Sequence, residues 1–188
     1  MALDPQYLAV AIEAALAAGV IQRRYFRQNP DVTKKGRIDL VTAADLEVER
    51  RFRAMIADRF PDHTVLGEEA GASAPAGASP YRWIIDPVDG TTNFAHGLAL
   101  FCVSIALEVD GALAIGVVYD PMADELFTAE RGQGARLNGR TIRVAPTAAL
   151  VDALMCTGFP YSVSREHTRQ INAFSAFLEQ AQGLRRLG

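Results

Sequence analysis

The sequence predicts an α+β fold in which two N-terminal helices cover an antiparallel-rich sheet. Its composition, 49% hydrophobic and 22% charged over 188 residues, is that of a globular chain able to bury a core. Apolar residues recur with helical spacing as far as Phe60. From Tyr81 onward the pattern changes to apolar runs separated by turn residues, which is typical of strands.

Both predicted helices lie before Pro61. The first carries an apolar stripe at four-residue spacing, formed by Leu8, Ile12, Leu16 and Val20. We expect this stripe to dock on the rest of the fold and the helix to end near Asn29-Pro30. The second helix is predicted to start near Thr42 and to end before Pro61. Its inward-facing residues are predicted to be Val48, Phe52, Met55 and Ile56.

The strand-like runs after Tyr81 predict a sheet of hairpins. The predicted strands are Tyr81 to Ile85, Cys102 to Val109, Ala114 to Tyr119 and Leu126 to Ala129, with a turn at Asp110-Gly111. Gly132-Gln133-Gly134-Ala135-Arg136-Leu137 is predicted to be a turn and not a dinucleotide loop, because Leu137 stands where the third glycine belongs and the setting is not strand-to-helix. Towards the end of the sequence, Val151 to Cys156 is predicted as a strand and Arg165 to Gln182 as a helix.

Charge and apolar runs argue against two classes of partner. The net charge is -3, and no basic cluster interleaved with aromatic residues marks a nucleic-acid groove. Glu13 interrupts the first apolar stretch, and the run from Leu98 to Leu107 is shorter than the ~20 residues that span a bilayer. We therefore expect neither a nucleic-acid partner nor a membrane segment. Cys102 and Cys156 are predicted to be buried thiols of a cytoplasmic protein.

The segment Asp86-Pro87-Val88-Asp89 has the features of a metal site at the end of a strand. The apolar run Trp83-Ile84-Ile85 delivers Asp86, and Pro87 cannot continue the ladder because it lacks an N–H group. A turn can then bring Asp89 back beside Asp86 and leave the Val88 carbonyl unpaired. Three hard oxygen ligands within four residues suit Mg²⁺ or Mn²⁺.

The residues that follow predict an anion site beside the metal. Gly90 allows close approach of the backbone to a ligand, and Thr91-Thr92-Asn93 would open a helical turn whose free N–H groups bind phosphate. Together these features predict metal-assisted phosphoryl hydrolysis. Simpler interpretations stay open at this point: Asp89-Gly90 as an ordinary turn, Glu68-Glu69 as a solvated acidic pair, and Thr42 to Asp45 as a helix capping box.

Three motifs, in this order, carry a resemblance to a known family: Asp39-Leu40-Val41-Thr42-Ala43-Ala44-Asp45, Gly67-Glu68-Glu69, and Trp83-Ile84-Ile85-Asp86-Pro87-Val88-Asp89-Gly90-Thr91-Thr92-Asn93-Phe94. The chain resembles the inositol monophosphatase family. This resemblance implies a layered α-β-α-β-α sandwich whose second sheet is incomplete in this chain. It also implies one domain over residues 1–188 that is C-terminally truncated relative to the family.

The resemblance also implies a role for each site residue. Glu68, Asp86 and the Val88 carbonyl would hold a first metal, and Asp86 and Asp89 a second. Thr91 would hydrogen-bond to Asp45, and this pair, with Glu68 on the first metal, would orient and deprotonate the attacking water. Phosphate would be bound at Asp89, Gly90 and Thr91. Glu69 and Lys34 match positions near a loosely held third metal and its loop.

The implied reaction is hydrolysis of myo-inositol 1-phosphate to myo-inositol and phosphate. Two or three Mg²⁺ ions per site are expected, with Mn²⁺ as a substitute, in a lithium-sensitive, bacterial homodimer. Related sugar-phosphate, histidinol-phosphate or adenosine-bisphosphate phosphatases are the alternatives. The family also places an aspartate of a C-terminal Trp-Asp motif on the second metal, and the 188 residues end before it. A catalytically silent scaffold or regulatory protein is therefore the alternative of another class.

Overall fold

The computed structural model describes residues 3–28, 32–34, 40–72, 79–159 and 163–187. Its contacts divide the chain into two compact units, Met1–Lys35 with Leu40–Ile142, and Gly36–Asp39 with Arg143–Gly188. Every predicted site residue belongs to the first unit. The single domain over residues 1–188 stays a prediction.

The helices of the first unit, as described, all precede Cys102 in the chain. In chain order they are α1 (Pro5–Tyr25), β1 (Val32–Lys34), β2 (Leu40–Thr42), α2 (Ala43–Arg59), β3 (Thr64–Gly67), β4 (Gly71–Ala72), β5 (Tyr81–Asp89), α3 (Thr91–Ala95), β6 (Cys102–Val109), β7 (Ala112–Asp120), β8 (Glu125–Glu130), β9 (Gly134–Leu137) and β10 (Arg140–Ile142). The predicted strands after Tyr81 are confirmed. Strands β9 and β10 were not predicted.

An eight-stranded mixed sheet forms the centre of this unit, in the order β10-β9-β8-β7-β6-β5-β3-β4. Its neighbours pair antiparallel except β3 and β5, which run parallel. The predicted turn at Asp110-Gly111 joins β6 to β7, and both residues have positive φ, 51° and 77°. The turn predicted over residues 132–137 is confirmed only at its start, where it joins β8 to β9; from Gly134 to Leu137 the prediction is wrong, because these residues pair with β8 as strand β9. Strands β1 and β2 form a separate antiparallel pair.

Helix α1 packs only half of the predicted stripe on the core, since Leu8 and Ile12 are partly buried against it. Asp4 caps the helix by accepting a hydrogen bond from the Gln6 amide, 2.9 Å away. Leu16 and Val20 are 42% and 60% exposed, so the prediction that the large apolar residues dock is wrong for both. The buried face is made mostly of small residues: Val10, Ala11, Ala14, Ala15, Ala18, Gly19, Ile21 and Gln22.

Small residues allow α1 to approach the sheet closely, and this explains the choice of face. A Cβ atom added at Gly19 would lie 2.4 Å from a ring carbon of Tyr119 on β7. Because the helix residues are small, side chains of the sheet fill the space between α1 and the sheet. The predicted helix end near Asn29-Pro30 lies outside the described residues, and α1 ends at Tyr25.

By length and composition alone, α1 is the one described helix that passes a test for crossing a membrane. Nearly half of its most apolar stretch, 44%, is buried inside the protein. Because its buried face packs against β6 and β7, α1 has the environment of a core helix here.

The second helix follows its prediction closely. Helix α2 begins directly after Thr42, and Val48, Phe52 and Ile56 are buried, while Met55 is partly buried against the same core. These residues pack with α1 on the sheet face that carries Trp83 and other alternate residues of β5, β6 and β7. The alternation places Ile84 and Asp86 on the opposite face, where both are half-buried.

The second unit is a parallel strand pair connected by a helix. After a 3₁₀ helix (Leu150–Asp152), β11 (Leu154–Thr157) leads through α4 (Val163–Gln180) to β12 (Gly183–Arg186). The strands pair in parallel from Leu154 opposite Gly183 to Thr157 opposite Arg186. The predicted strand and helix are confirmed with shifted ends. Cys156 is exposed, so the prediction that it is buried is wrong, because it lies on the open side of this pair.

An aromatic cluster at the start of β5 holds a histidine in its neutral form. The Trp83 Nε1–H group donates to Nδ1 of His63 over 3.0 Å, and the His63 ring stacks on Tyr81 with 4.3 Å between centroids. Burial lowers the pKa of His63 below its ordinary value of 6.5, although Asp62 opposes this shift. Protonation would remove the acceptor that Trp83 uses.

We expect this histidine to make folding pH-dependent. Its folded-state pKa is lowered, so the stability that neutral His63 contributes is complete above pH ~6.5 and is lost as the pH falls below that value. Because Trp83 is the only tryptophan, its fluorescence should titrate in this range in the wild type. The titration should persist in His96→Gln, which alters an exposed histidine, and disappear in His63→Gln. A titration that survives in His63→Gln would assign the change to another group.

Candidate active site

Strand pairing brings the two acidic segments to one place. Parallel strands β3 and β5 pair Leu66 with Ile84 and Gly67 with Ile85. Glu68 directly follows β3 and Asp86 is the next residue of β5, so the two carboxylates lie side by side where β3 ends. We call residues Gly67–Ala70 the glutamate turn and Asp86–Asp89 the aspartate bulge.

The aspartate bulge interrupts the pairing of β5 with β6. Asp86 pairs with Ser104 and Asp89 with Cys102, so the register shifts between the two aspartates. Within the bulge the Val88 N–H group donates to Asp86 Oδ1 over 3.2 Å. Such a bulge re-aims side chains at the end of a strand. It turns Asp89 back towards Asp86, as the sequence predicts.

One prediction about the bulge is wrong. The Val88 carbonyl, expected to be unpaired, accepts a hydrogen bond from Thr91 Oγ1 over 2.8 Å. The Thr91 hydroxyl reaches this oxygen because it lies three residues further along, in the turn that opens α3. A carbonyl oxygen has two lone pairs, so Val88 retains one for another partner.

A buried apolar cluster holds the aspartate bulge in place through Val88. The Val88 side chain is fully buried with Phe26, Ala44, Phe94 and Phe101. The ring of Phe101 lies 5.0 Å from that of Phe26 and 4.8 Å from that of Phe94, measured between centroids. This packing fixes the main chain of Val88 while the flanking aspartates stay at the surface of the cluster.

Burial and the repulsion between neighbouring carboxylates both act on the charge of Asp86. The pKa of Asp86 is raised to about 7, mainly by burial and also by the charges of Glu68 and Asp89. Burial also raises the pKa of the neighbouring Cys102 thiol to about 12, with Asp89 and Asp86 adding to the effect. The site therefore concentrates negative charge that a cation would neutralise.

The two carboxylate oxygens of Asp45 differ in their hydrogen bonding. Its Oδ2 accepts from the Thr42 N–H group over 2.8 Å and from Thr42 Oγ1 over 2.6 Å, which confirms the capping box at the start of α2. Its Oδ1 is buried and, within the described part of the chain, has no hydrogen-bond partner. Burial raises the pKa of Asp45 to about 6; the Thr42 hydrogen bonds oppose this rise, and the nearby Glu69 charge adds to it.

The predicted hydrogen bond between Thr91 and Asp45 is not made in this structure, because the Thr91 hydroxyl donates to Val88 instead. The unpartnered Asp45 Oδ1 is left as an acceptor for another group. The catalytic roles of Asp45, Thr91 and Glu68 stay predictions.

Gly90 has the backbone conformation that the prediction required. Its φ is 97°, and a Cβ atom there would lie 3.0 Å from the Leu100 carbonyl oxygen and 3.3 Å from Phe101. The first hydrogen bond of α3 runs from the Phe94 amide to the Gly90 carbonyl, so the amides of the opening turn precede the helical ladder. Phosphate binding at Asp89, Gly90 and Thr91 stays a prediction.

Glu69 and Lys34 are the remaining predicted site residues. Glu69 is half-buried in the glutamate turn and raises the pKa of Asp45 by its charge. Lys34 lies at the end of β1, with its backbone opposite Leu40 on β2. Their assignment to a third metal and its loop stays a prediction.

Sequence analysis missed two buried polar residues that contact the site's backbone. Gln22 on α1 donates to the carbonyls of Pro87 and Cys102, and Glu49 on α2 accepts from the amides of Glu69 and Ala70. A signal for them exists. Gln22 continues the small-residue face of α1 four positions after Ala18, and a polar side chain on a buried face needs a partner.

The carboxylate site fits a divalent cation in its chemistry. Its donors are hard oxygens, its charges repel one another, and the buried Asp45 Oδ1 is unpartnered. Across the described ranges, no three His, Cys, Asp or Glu side chains are close enough to form a finished metal cage. The interactions of Asp86 with Glu68 and Asp89 nevertheless show that these carboxylates share one region.

A cavity among the described residues lies away from these carboxylates. It has a volume of about 1000 Å³ and is lined by Tyr7, Tyr81, Val109, Arg131 and their neighbours, at the opposite ends of β5 and β6. None of the predicted site residues lines it. The charge pattern, and not cavity size, therefore identifies the candidate site.

Comparisons with known proteins agree on the kind of protein this chain is similar to. A model described as the inositol monophosphatase family matches residues 4–188. The chain is 41% identical over 183 residues to Nus factor SuhB of Pasteurella multocida (strain Pm70), covering 96% of this chain and 68% of that protein. It is 42% identical over 183 residues to an inositol-1-monophosphatase of Mesorhizobium japonicum, with coverage of 96% and 68%.

Solved structures show the same similarity in three dimensions. Extragenic suppressor protein suhB from Bartonella henselae superposes with a TM-score of 0.92 and 37% identity, covering 97% of this chain and 70% of that chain. SaIMPase-II bound to inositol monophosphate has a TM-score of 0.75 and 26% identity, covering 96% of this chain and 64% of that one. The predicted fold class is thereby confirmed.

Proposed function

This chain belongs to the inositol monophosphatase family, and we propose that it hydrolyses myo-inositol 1-phosphate to myo-inositol and phosphate with the help of Mg²⁺. It is a phosphatase of the phosphoric monoester class, and the family is metal-dependent. The observation that carries the proposal is the register of β3 with β5, which brings Glu68 beside Asp86 at the start of the aspartate bulge. A row of hard oxygens beside a glycine turn suits a phosphorylated polyol and a divalent cation.

In this proposal Glu68, Asp86 and Asp89 would hold metal through their carboxylate oxygens. Glu68, Asp86 and the second lone pair of the Val88 carbonyl would hold one Mg²⁺, and Asp86 and Asp89 would hold another. A third, weaker ion near Glu69 and Lys34, and replacement by Mn²⁺, belong to the same proposal. When bound, the cations lower the pKa of water and neutralise the charge of the leaving oxygen.

Asp45 and Thr91 prepare the attacking water. The capping box holds the Asp45 carboxylate still through Oδ2, so the buried Oδ1 is available to take a proton from water. In this proposal the Thr91 hydroxyl rotates away from the Val88 carbonyl and donates a hydrogen bond to Asp45. The N–H groups of Gly90 and Thr91, with Asp89 beside them, position the phosphate oxygens.

The substrate is tested by phosphate release from a panel of monoesters. We expect the highest kcat/KM with myo-inositol 1-phosphate, and lower values with histidinol phosphate, fructose 1,6-bisphosphate, adenosine 3′,5′-bisphosphate and 2′-AMP. SaIMPase-II has been seen with inositol monophosphate and with 2′-AMP, so both belong in the panel. EDTA should abolish release and excess Mg²⁺ or Mn²⁺ should restore it.

The matched control is Asp110→Asn, which neutralises an exposed aspartate in the β6–β7 turn. It should hydrolyse every substrate at the wild-type rate. Absence of metal-dependent phosphate release from the whole panel would contradict the proposal. Preference for another monoester would retain the mechanism and replace the substrate.

The second candidate is a regulatory role without catalysis, in the cytoplasm. The observation that favours it is the 41% identity to a protein named Nus factor SuhB. The two candidates separate in a genetic complementation test, because a regulatory role should survive Asp86→Asn and an enzymatic role should not. A cytoplasmic location, a homodimer, and the absence of nucleic-acid and membrane partners stay proposals.

A further inference from the structure

We propose that Gln22 and Glu49 are positioning residues, which hold the aspartate bulge and the glutamate turn in the geometry that binds a divalent cation. The inference rests on the proposed function, since it assigns the two segments to one metal site. Gln22 lies on α1 and Glu49 on α2, so each of the two helices that cover the sheet contributes one residue. Neither side chain is a ligand in the proposed site.

Gln22 holds the aspartate bulge where the pairing of β5 with β6 is interrupted. Its side chain is fully buried, and Nε2 donates to the Pro87 carbonyl over 2.8 Å and to the Cys102 carbonyl over 3.1 Å. These carbonyls belong to β5 and β6 where the register shifts, so one amide group joins the two strands across the irregularity. Pro87 itself has no N–H group with which to continue the ladder.

The side-chain oxygen of Gln22 argues for a functional role of this residue. Within the described residues its Oε1 is buried without a hydrogen-bond partner, and an unsatisfied buried oxygen costs free energy. An apolar side chain would fill this part of the core without that cost. The amide is therefore better explained by what its nitrogen does for the bulge than by packing alone.

Glu49 holds the glutamate turn in a comparable way. Its carboxylate is 2% exposed and accepts from the amides of Glu69 and Ala70, over 2.8 Å and 3.0 Å. Arg53, one helical turn further along α2, donates to Glu49 Oε1 over 2.8 Å and also to the Gly71 carbonyl. The backbone on both sides of Ala70 is thus tied to α2.

The close approach of the turn to α2 depends on Gly67. A Cβ atom at that position would lie 2.3 Å from the carboxyl carbon of Glu49. A buried ion pair contributes little net stability compared with apolar packing, and its better-supported use is to select one arrangement. Here the arrangement is the one that points Glu68 towards Asp86.

The experiment measures Mn²⁺ binding by calorimetry, without substrate, in the wild type, Gln22→Met and Glu49→Gln. Groups that support metal ligands typically change affinity by about 10- to 100-fold, and we expect a weakening of this size in each variant. Activity at saturating Mn²⁺ should recover more fully than activity at low Mn²⁺. Ile21→Val and Val48→Ala, which alter buried apolar neighbours on the same helices, should bind Mn²⁺ with the wild-type Kd.

The outcomes separate the positioning role from the proposed function. Wild-type affinity in folded Gln22→Met and Glu49→Gln would overturn the positioning role, and so would an equal weakening in the two apolar controls. A wild-type protein that binds no Mn²⁺ would contradict the proposed function and with it this inference. Where either variant does not fold, Gln22→Asn or Glu49→Asp, which keep the group but shorten its reach, are judged by the same criterion.

Discussion

Replacing Asp86 with asparagine is expected to lower kcat for phosphate release by more than about 100-fold, because groups that only support metal ligands already cost about 10- to 100-fold. Asp86 stands at the centre of the site, where Glu68 and Asp89 both act on its charge. Asparagine keeps the shape of the side chain and removes the charge that a divalent cation requires. The same variant should lose most of the increase in melting temperature that Mg²⁺ gives the wild type.

In the absence of metal, Asp86→Asn should make the folded protein more stable than the wild type at pH 8. The pKa of Asp86 is raised from 3.8 to about 7, so its ionisation in the folded state opposes folding. The stability of the wild type in EDTA should therefore fall as the pH rises from about 4 through 7. Asp86→Asn should show a smaller fall and a higher midpoint of urea unfolding at pH 8. Asp110→Asn is the control, and a midpoint below wild type for Asp86→Asn alone would contradict the expected repulsion.

The second large effect is expected from Gly90→Ala. A non-glycine residue held in such a backbone region costs about 1–3 kcal/mol, and here the new methyl group also meets a backbone oxygen at 3.0 Å. The turn can relieve this contact only by moving the amides that are proposed to bind phosphate. We expect a lower free energy of unfolding in urea and a kcat/KM that falls more than stability alone explains.

Gly111→Ala is the matched control for this substitution. Gly111 also has positive φ, 77°, but an added Cβ atom there meets no atom within 4 Å. It should show the conformational cost of about 1–2 kcal/mol alone, with unchanged kcat/KM. Equal effects of the two substitutions would show that the contact with Leu100 is unimportant and that the site tolerates a shifted turn.

Local signals in the sequence were sufficient for much of the fold. The capping box at Thr42 and the apolar spacing of Val48, Phe52 and Ile56 define α2 without reference to the rest of the chain. The turn at Asp110-Gly111 fixes the β6–β7 hairpin for the same reason, since its residues favour positive φ. Each of these features depends on neighbours within a few residues.

The errors come from interactions between distant parts of the chain. The buried face of α1 is decided by its fit to Tyr119, about which the spacing of Leu16 and Val20 says nothing. The Thr91 hydroxyl donates to the Val88 carbonyl and not to Asp45, and the sequence gives no means to choose between these two acceptors. The short strands β9 and β10 are half-buried or exposed, and β9 begins within the glycine-rich segment that predicted a turn.

Within the candidate site, the carboxylates could be found from the sequence and their supports could not. Asp86, Asp89 and Glu68 belong to motifs that are visible residue by residue. Gln22 and Glu49 act on backbone atoms more than 15 residues away, and neither separation follows from any local pattern. Polar residues on an otherwise buried helix face are the signal that a later search can use.

The contact between Gly19 and Tyr119 also has a consequence for synthesis of the protein. These residues are 100 positions apart in the chain, so α1 leaves the ribosome long before β7 exists. At about 5–20 residues per second, the nascent helix waits roughly 5–20 s for its native partner. During that interval its apolar surface is available to chaperones or to other nascent chains. Helix α2, which also contacts α1, is made well before β7, but the small-residue face of α1 has no β6 or β7 to pack against until those strands emerge.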